Sequence, residues 1–153
     1  MYHANAWGVV YAATMVGAKL VLPGAKLDGE SLVDLIARES VSVSFGVPTI
    51  WLAVAQHLEV ANSKVESLER LVIGGAACPL SLIATYREKF GVEVRQIWGM
   101  TETSPLGVVN TFKAKHEILD AAAKDDIRGK QGRVVYGAEL EIGDDRSEER
   151  RGG

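Results

Sequence analysis

The sequence predicts an α/β domain: a mostly parallel sheet flanked by helices on both faces. Three observations carry that expectation. Helix-like and strand-like segments alternate four times before residue 98, the order that gives a parallel sheet covered by helices. Leu71-Val72-Ile73 is continuously apolar, as strands buried on both faces are. Glycine- or proline-marked turns at 45–48, 74–79 and 98–105 each follow a strand. In such a sheet these turns gather on one edge, where ligands sit.

Taken in order, residues 7–16 are apolar with small residues interspersed and read as a buried helix ended by Gly17. Residues 19–22 read as a short strand stopped by Pro23-Gly24. Asp28 or Gly29 starts the next helix, which sets Leu32, Leu35 and Ile36 on one face. Residues 41–47 form a strand with β-branched Val41, Val43 and Val47. Pro48 suits a first helical turn, where its missing N–H goes unused, and the helix it opens turns Trp51, Leu52, Ala55 and Leu58 inward. A polar connection through Asn62 and Ser63 leads to the strand at 71–73 and its turn. Pro79 opens a helix with Leu82, Ile83, Tyr86 and Phe90 on one side, closed by Gly91. Residues 92–97 alternate apolar and polar, as a half-buried strand does. A charged helix over 116–128, a turn over 129–132 and a strand-like 138–142 complete the chain.

A chain of 153 residues is long enough for one domain that buries roughly 70% of its unfolded surface. With 47% hydrophobic and 24% charged residues it falls among soluble globular proteins. A net charge of −3 gives no electrostatic reason to bind nucleic acid or an anionic membrane. The longest uncharged apolar run, 4–18, is too short for a transmembrane segment, and the start has no cleavable signal. The single cysteine, Cys78, excludes an internal disulfide and suits a reducing, cytoplasmic setting. Both ends look cut: Met1 leads at once into a polar-aromatic cluster, and the strand-like 138–142 has no following strand. The expected organisation is the central part of a larger domain over 1–142 and a charged tail over 143–153, disordered or non-native in origin.

The chemistry concentrates in Trp98-Gly99-Met100-Thr101-Glu102-Thr103-Ser104-Pro105. Gly99 permits a close approach. Thr101 and Thr103 offer hydroxyl donors, Glu102 a hard oxygen ligand suited to magnesium, and Trp98 a flat apolar face. At a strand's carboxyl end, that set suits a nucleotide phosphate with its metal. The plain alternative is a strand, a polar turn and a core tryptophan. The small residues Gly74-Gly75-Ala76-Ala77 would let a flat ligand approach the backbone, or serve only a tight turn. Cys78 has no histidine near it in sequence and reads as packing. His57 and His116 match no metal-ligand spacing.

Trp98-Gly99-Met100-Thr101-Glu102 resembles the Tyr/Trp-Gly-Met-Thr-Glu signature of the acyl-adenylate-forming enzymes, the superfamily of acyl-CoA synthetases, luciferases and peptide-synthetase adenylation domains. The string His3-Ala4-Asn5-Ala6-Trp7-Gly8 and the segment Gly46-Val47-Pro48-Thr49-Ile50-Trp51 are most similar to the medium- and long-chain fatty-acyl-CoA synthetase branch. The resemblance implies part of that family's large N-terminal domain, with ATP or AMP, Mg2+ and CoA as small-molecule partners alongside a carboxylic acid. It implies that Trp98, Gly75, Ala76, Ala77, Gly99 and Met100 bind the nucleotide, with tryptophan where many members have tyrosine. Thr101 would hold the α-phosphate and Glu102 the magnesium. His3 would lie beside the substrate carboxylate, and Val47, Trp51 and Gly74 would border the acyl pocket. The family's phosphate loop, Thr-Gly-Asp motif and C-terminal lysine are not in these residues. Other adenylate formers, such as aryl-CoA ligases or peptide-synthetase adenylation domains, remain open. A non-catalytic Rossmann-type nucleotide module lacks its Gly-x-Gly-x-x-Gly fingerprint.

Overall fold

The computed structural model describes residues 6–141. Its centre is a five-stranded mixed sheet with spatial order β1-β2-β3-β4-β5. The strands are β1 (Val43–Gly46), β2 (Arg70–Ile73), β3 (Glu93–Gly99), β4 (Leu106–Val109) and β5 (Arg133–Val134). β1, β2 and β3 are parallel, whereas β4 pairs antiparallel with β3 and β5 antiparallel with β4. The helices are α1 (Val9–Met15), α2 (Gly29–Glu39), α3 (Pro48–Val60), α4 (Leu80–Thr85) and α5 (Ala121–Gly129).

Local chemistry sets the helix boundaries. The Asp28 carboxylate caps α2 by accepting the Ser31 N–H at 2.8 Å, satisfying one of the donors that a helix start leaves free. Pro48 occupies the first turn of α3, and Asp120 caps α5 by accepting the Ala123 N–H. α4 runs on into a π-helical turn, Tyr86–Phe90, which Gly91 ends at φ 71°.

One core joins α2, α3 and α4 to the sheet face that carries Leu71 and Ile73, both almost fully buried. Trp51 and Tyr86 are its largest members. Their rings meet edge to face at 6.5 Å, and the Tyr86 hydroxyl donates to the Trp51 carbonyl at 2.7 Å. That bond satisfies a buried hydroxyl whose exposure to an apolar interior would otherwise be costly. The opposite side of the parallel strands carries Arg70, Glu93 and Arg95 in a row of ion pairs.

Several expectations change in the folded chain. α1 forms, but only Ala13 is buried, and Met15 and Val16 stand exposed; apolar composition marks a helix without saying what covers it. Residues 19–22 are not a strand, because no neighbouring strand pairs with them. On α3, Leu52 faces outward and the unremarked Val54 takes the core position. The helix expected over 116–128 divides into a 3-10 turn, Ala114–His116, and α5, which starts at the Asp120 cap. Residues 138–141 form no strand, and Ile142 lies outside the described residues, as does the tail at 143–153.

Candidate functional site

β3 and β4 make the site by turning back on each other. β3 ends at Gly99, a 3-10 turn spans Thr101–Thr103, and β4 returns alongside. A Cβ on Gly99 would lie 1.8 Å from the Pro105 carbonyl oxygen, so only glycine permits this close return. The Thr103 hydroxyl holds the loop: it accepts the Met100 N–H at 3.0 Å and lies 2.7 Å from the Pro105 carbonyl. Thr103, read from the sequence as a possible donor to a ligand, is therefore committed to the turn.

The same turn leaves Thr101 and Glu102 exposed. Their side chains make no hydrogen bond or ion pair with another described residue. Both face a cavity of about 380 Å³, also lined by Gly99, Met100, Gly75 and Val47. Trp7, Ile97, Pro105 and Leu106 supply the rest of its wall. The cavity thus joins the ends of β1, β2 and β3, at the edge where a parallel sheet presents its ligand sites.

Not every expected residue reaches that wall. Ala76 and Ala77 are exposed on the 74–79 turn, and Gly74 is buried against Ile97. Trp98 is 40% exposed and lies beside Gly107 rather than on the cavity wall. Trp51, which helical spacing turned inward and the resemblance set at the acyl pocket, is a core residue packed on Tyr86. Its indole N–H has no hydrogen-bond partner among the described residues. His3 lies outside the described residues. Sequence reasoning passed over Trp7 as a wall residue, although it stands in the same string as His3. It also passed over Ile97, Pro105 and Leu106, which only the turn brings together.

Gln96 connects the site to its support. This buried amide accepts the Cys78 N–H at 3.3 Å and donates to the Arg128 carbonyl at 2.8 Å, tying the 74–79 turn to β3 and α5. Burial pushes the Cys78 thiol up to about 11, which keeps it protonated and unreactive. A second cavity, about 250 Å³, opens at the other end of β3 beside Arg87, Arg95 and Arg128. Each of those arginines already pairs with Asp125 or Glu93.

A mixed α/β sheet with such a cavity beyond its parallel strands defines a ligand-binding α/β domain. More particularly, residues 1–153 match the AMP-binding enzyme family, and the chain belongs to it. It is 52% identical over 145 residues to a 3-methylmercaptopropionyl-CoA ligase of Ruegeria lacuscaerulensis, a match covering 95% of this chain and 27% of the relative. It is 51% identical, with the same coverage, to a medium-chain-fatty-acid–CoA ligase of Ectopseudomonas oleovorans. A long-chain-fatty-acid–CoA ligase of Thermus thermophilus is 48% identical. The chain therefore spans about a quarter of the length of the curated relatives it matches. Among solved structures, o-succinylbenzoate coenzyme A synthetase of Bacillus subtilis in complex with ATP and magnesium ion superposes with a TM-score of 0.70 at 26% identity. That match covers 94% of this chain and 27% of the other.

Proposed function

We propose that this chain is part of an ATP-dependent ligase that joins a fatty or similarly apolar carboxylic acid to CoA. In that reaction a carboxylate oxygen attacks the α-phosphorus of ATP, and the bond to the β-phosphate breaks to release pyrophosphate. The CoA thiol then attacks the acyl carbon of the adenylate, and AMP leaves. The observation that carries the reading is the pair Thr101 and Glu102, whose side chains are held at the cavity with no bond to another described residue.

Family membership and the 48–52% identical relatives support the reaction class. The apolar wall of Trp7, Val47, Ile97 and Leu106 supports an apolar acid. Thr101 would donate to the α-phosphate. Glu102 would hold magnesium, which supplies charge neutralisation for the displacement. No cluster of three metal-ligating side chains occurs among the described residues; a single carboxylate fits magnesium, which keeps waters and takes substrate phosphates as its other ligands. Trp98, with Gly75, Ala76 and Ala77, would hold the adenine. His3 would lie by the substrate carboxylate, and Val47 would border the acyl group while Trp51 supports α3 from the core. A cytoplasmic location belongs to the same proposal.

Glu102→Gln in the longer ligase tests it. The substitution keeps size and removes charge, and electrostatic losses of this kind cost roughly 3–4 kcal/mol, or two to three powers of ten in rate. Acid-dependent exchange between pyrophosphate and ATP should fall by that much, while thiol transfer from a supplied acyl-adenylate changes far less. Exchange that stays within about twofold of the parent would leave Glu102 a turn residue only and end the proposal.

A further inference from the structure

The ladder between β3 and β4 is irregular at one place. Trp98 pairs with Val108 and Gly99 with Leu106, so Gly107 is the extra residue opposite a one-residue step. A β-bulge of this kind bends its strand and re-aims side chains. Gly107 does not have a positive φ, so the backbone conformation there does not require glycine. Space does. A Cβ on Gly107 would lie 2.6 Å from Cζ3 and 2.7 Å from Cε3 of Trp98, well inside van der Waals contact.

The backbone at Gly107 is not free to retreat. Its carbonyl accepts the Val135 N–H at 3.1 Å, and β4 is paired to β5 through Val108 and Val109. A side chain at 107 would therefore displace the indole rather than the strand.

We infer that Gly107 is a positioning residue: the bulge sets its bare backbone against the fused ring of Trp98 and fixes the orientation in which that ring meets a planar nucleobase. This inference deepens the adenine-binding role proposed for Trp98 and rests on it. A side chain held in its binding orientation loses less freedom when the ligand arrives, which is how preorganisation raises affinity. The two positions are therefore coupled. The clashing atoms belong to the fused ring of tryptophan, and phenylalanine has neither of them. Alanine at 107 should be tolerated with phenylalanine at 98 and not with tryptophan.

The test uses this chain labelled with 5-fluorotryptophan, whose resonances are assigned by Trp98→Phe and Trp7→Phe. In Gly107→Ala the Trp98 resonance should move, while the Trp7 and Trp51 resonances stay. AMP affinity, measured by calorimetry on the longer ligase, should fall about tenfold in Gly107→Ala, the scale of one lost base–aromatic stack. In Gly107→Ala/Trp98→Phe it should return to the value of Trp98→Phe alone. If Gly107→Ala unfolds but the double variant folds, the clash is with the ring and the inference stands. It is overturned if the Trp98 resonance does not move, or if the double variant is as impaired as Gly107→Ala. A shifted resonance with unchanged AMP affinity would keep the steric coupling and reject the adenine role. A longer ligase that binds no AMP would reject the nucleotide reading, with the resonances still deciding the coupling.

Discussion

Replacing Gln96 with methionine should loosen the fold and the 74–79 turn together. Methionine keeps the length of the side chain and removes both of its hydrogen-bonding groups. Two bonds are lost: the Cys78 N–H loses its acceptor at 3.3 Å, and the Arg128 carbonyl loses its donor at 2.8 Å. Cys78 is buried, so its N–H has no water to turn to, and an unpaired buried donor costs about 1–3 kcal/mol. Arg128 is half-buried, and its loss is nearer the net value of an ordinary bond, about 1 kcal/mol. Apolar packing by methionine recovers part of this, leaving a net destabilisation of about 2 kcal/mol. With an unfolding entropy near 2 cal/mol/K per residue, a chain of this size should melt about 6 °C lower. Urea titration followed by circular dichroism gives the free energy. A change smaller than about 0.5 kcal/mol, the size of an ordinary surface substitution, would mean that the amide does not bridge these elements.

Two further outcomes follow from the ionisable groups. Cys78, with its thiol raised to about 11 by burial, should resist iodoacetamide at about pH 8 in the native chain and react once urea unfolds it; native reaction at the rate of a free thiol would contradict its packing. Acid should destabilise the fold. Burial pushes the Glu93 carboxyl up, but the hydrogen bonds from Arg70 and Arg95 outweigh it and hold the group below its ordinary 4.5. Hydrogen bonds from Arg87 and Arg128 likewise hold Asp125 below 3.8. A carboxylate depressed in the folded state stabilises it above the unfolded value, and that contribution is lost as pH falls through the folded one. The urea midpoint should therefore begin to drop as pH approaches 4.5 and continue to drop below 3.8. Glu93→Gln should flatten the profile, and an unchanged profile would remove the carboxylate from the account.

The sequence by itself determined those features that depend on near neighbours in the chain. β-branched residues, a continuous apolar run and an apolar–polar alternation placed β1, β2 and β3 in turn, and helical spacing placed the helices between them. Asp28, Pro48 and Gly91 marked helix ends through their own donors, rings and backbone freedom. The 98–105 motif marked the family because its residue types sit side by side in one loop. Tertiary structure alone decided which of the chain's similar residues does what. Trp51 and Trp98 each directly follow an isoleucine, yet one is buried on Tyr86 and the other lies half open on Gly107. Thr101 and Thr103 flank the same carboxylate, yet one hydroxyl closes the turn and the other is left at the cavity. β4 and β5 escaped sequence reading because their pairing depends on the return at Gly99 rather than on any periodicity of their own. Gln96 and Asn110 are buried polar residues that no hydrophobic pattern would place inside. Their partners, the carbonyls of Ile127, Arg128 and Lys130, arrive from the end of α5. Burial of an amide depends on partners distant in sequence, and only the folded chain brings them within reach.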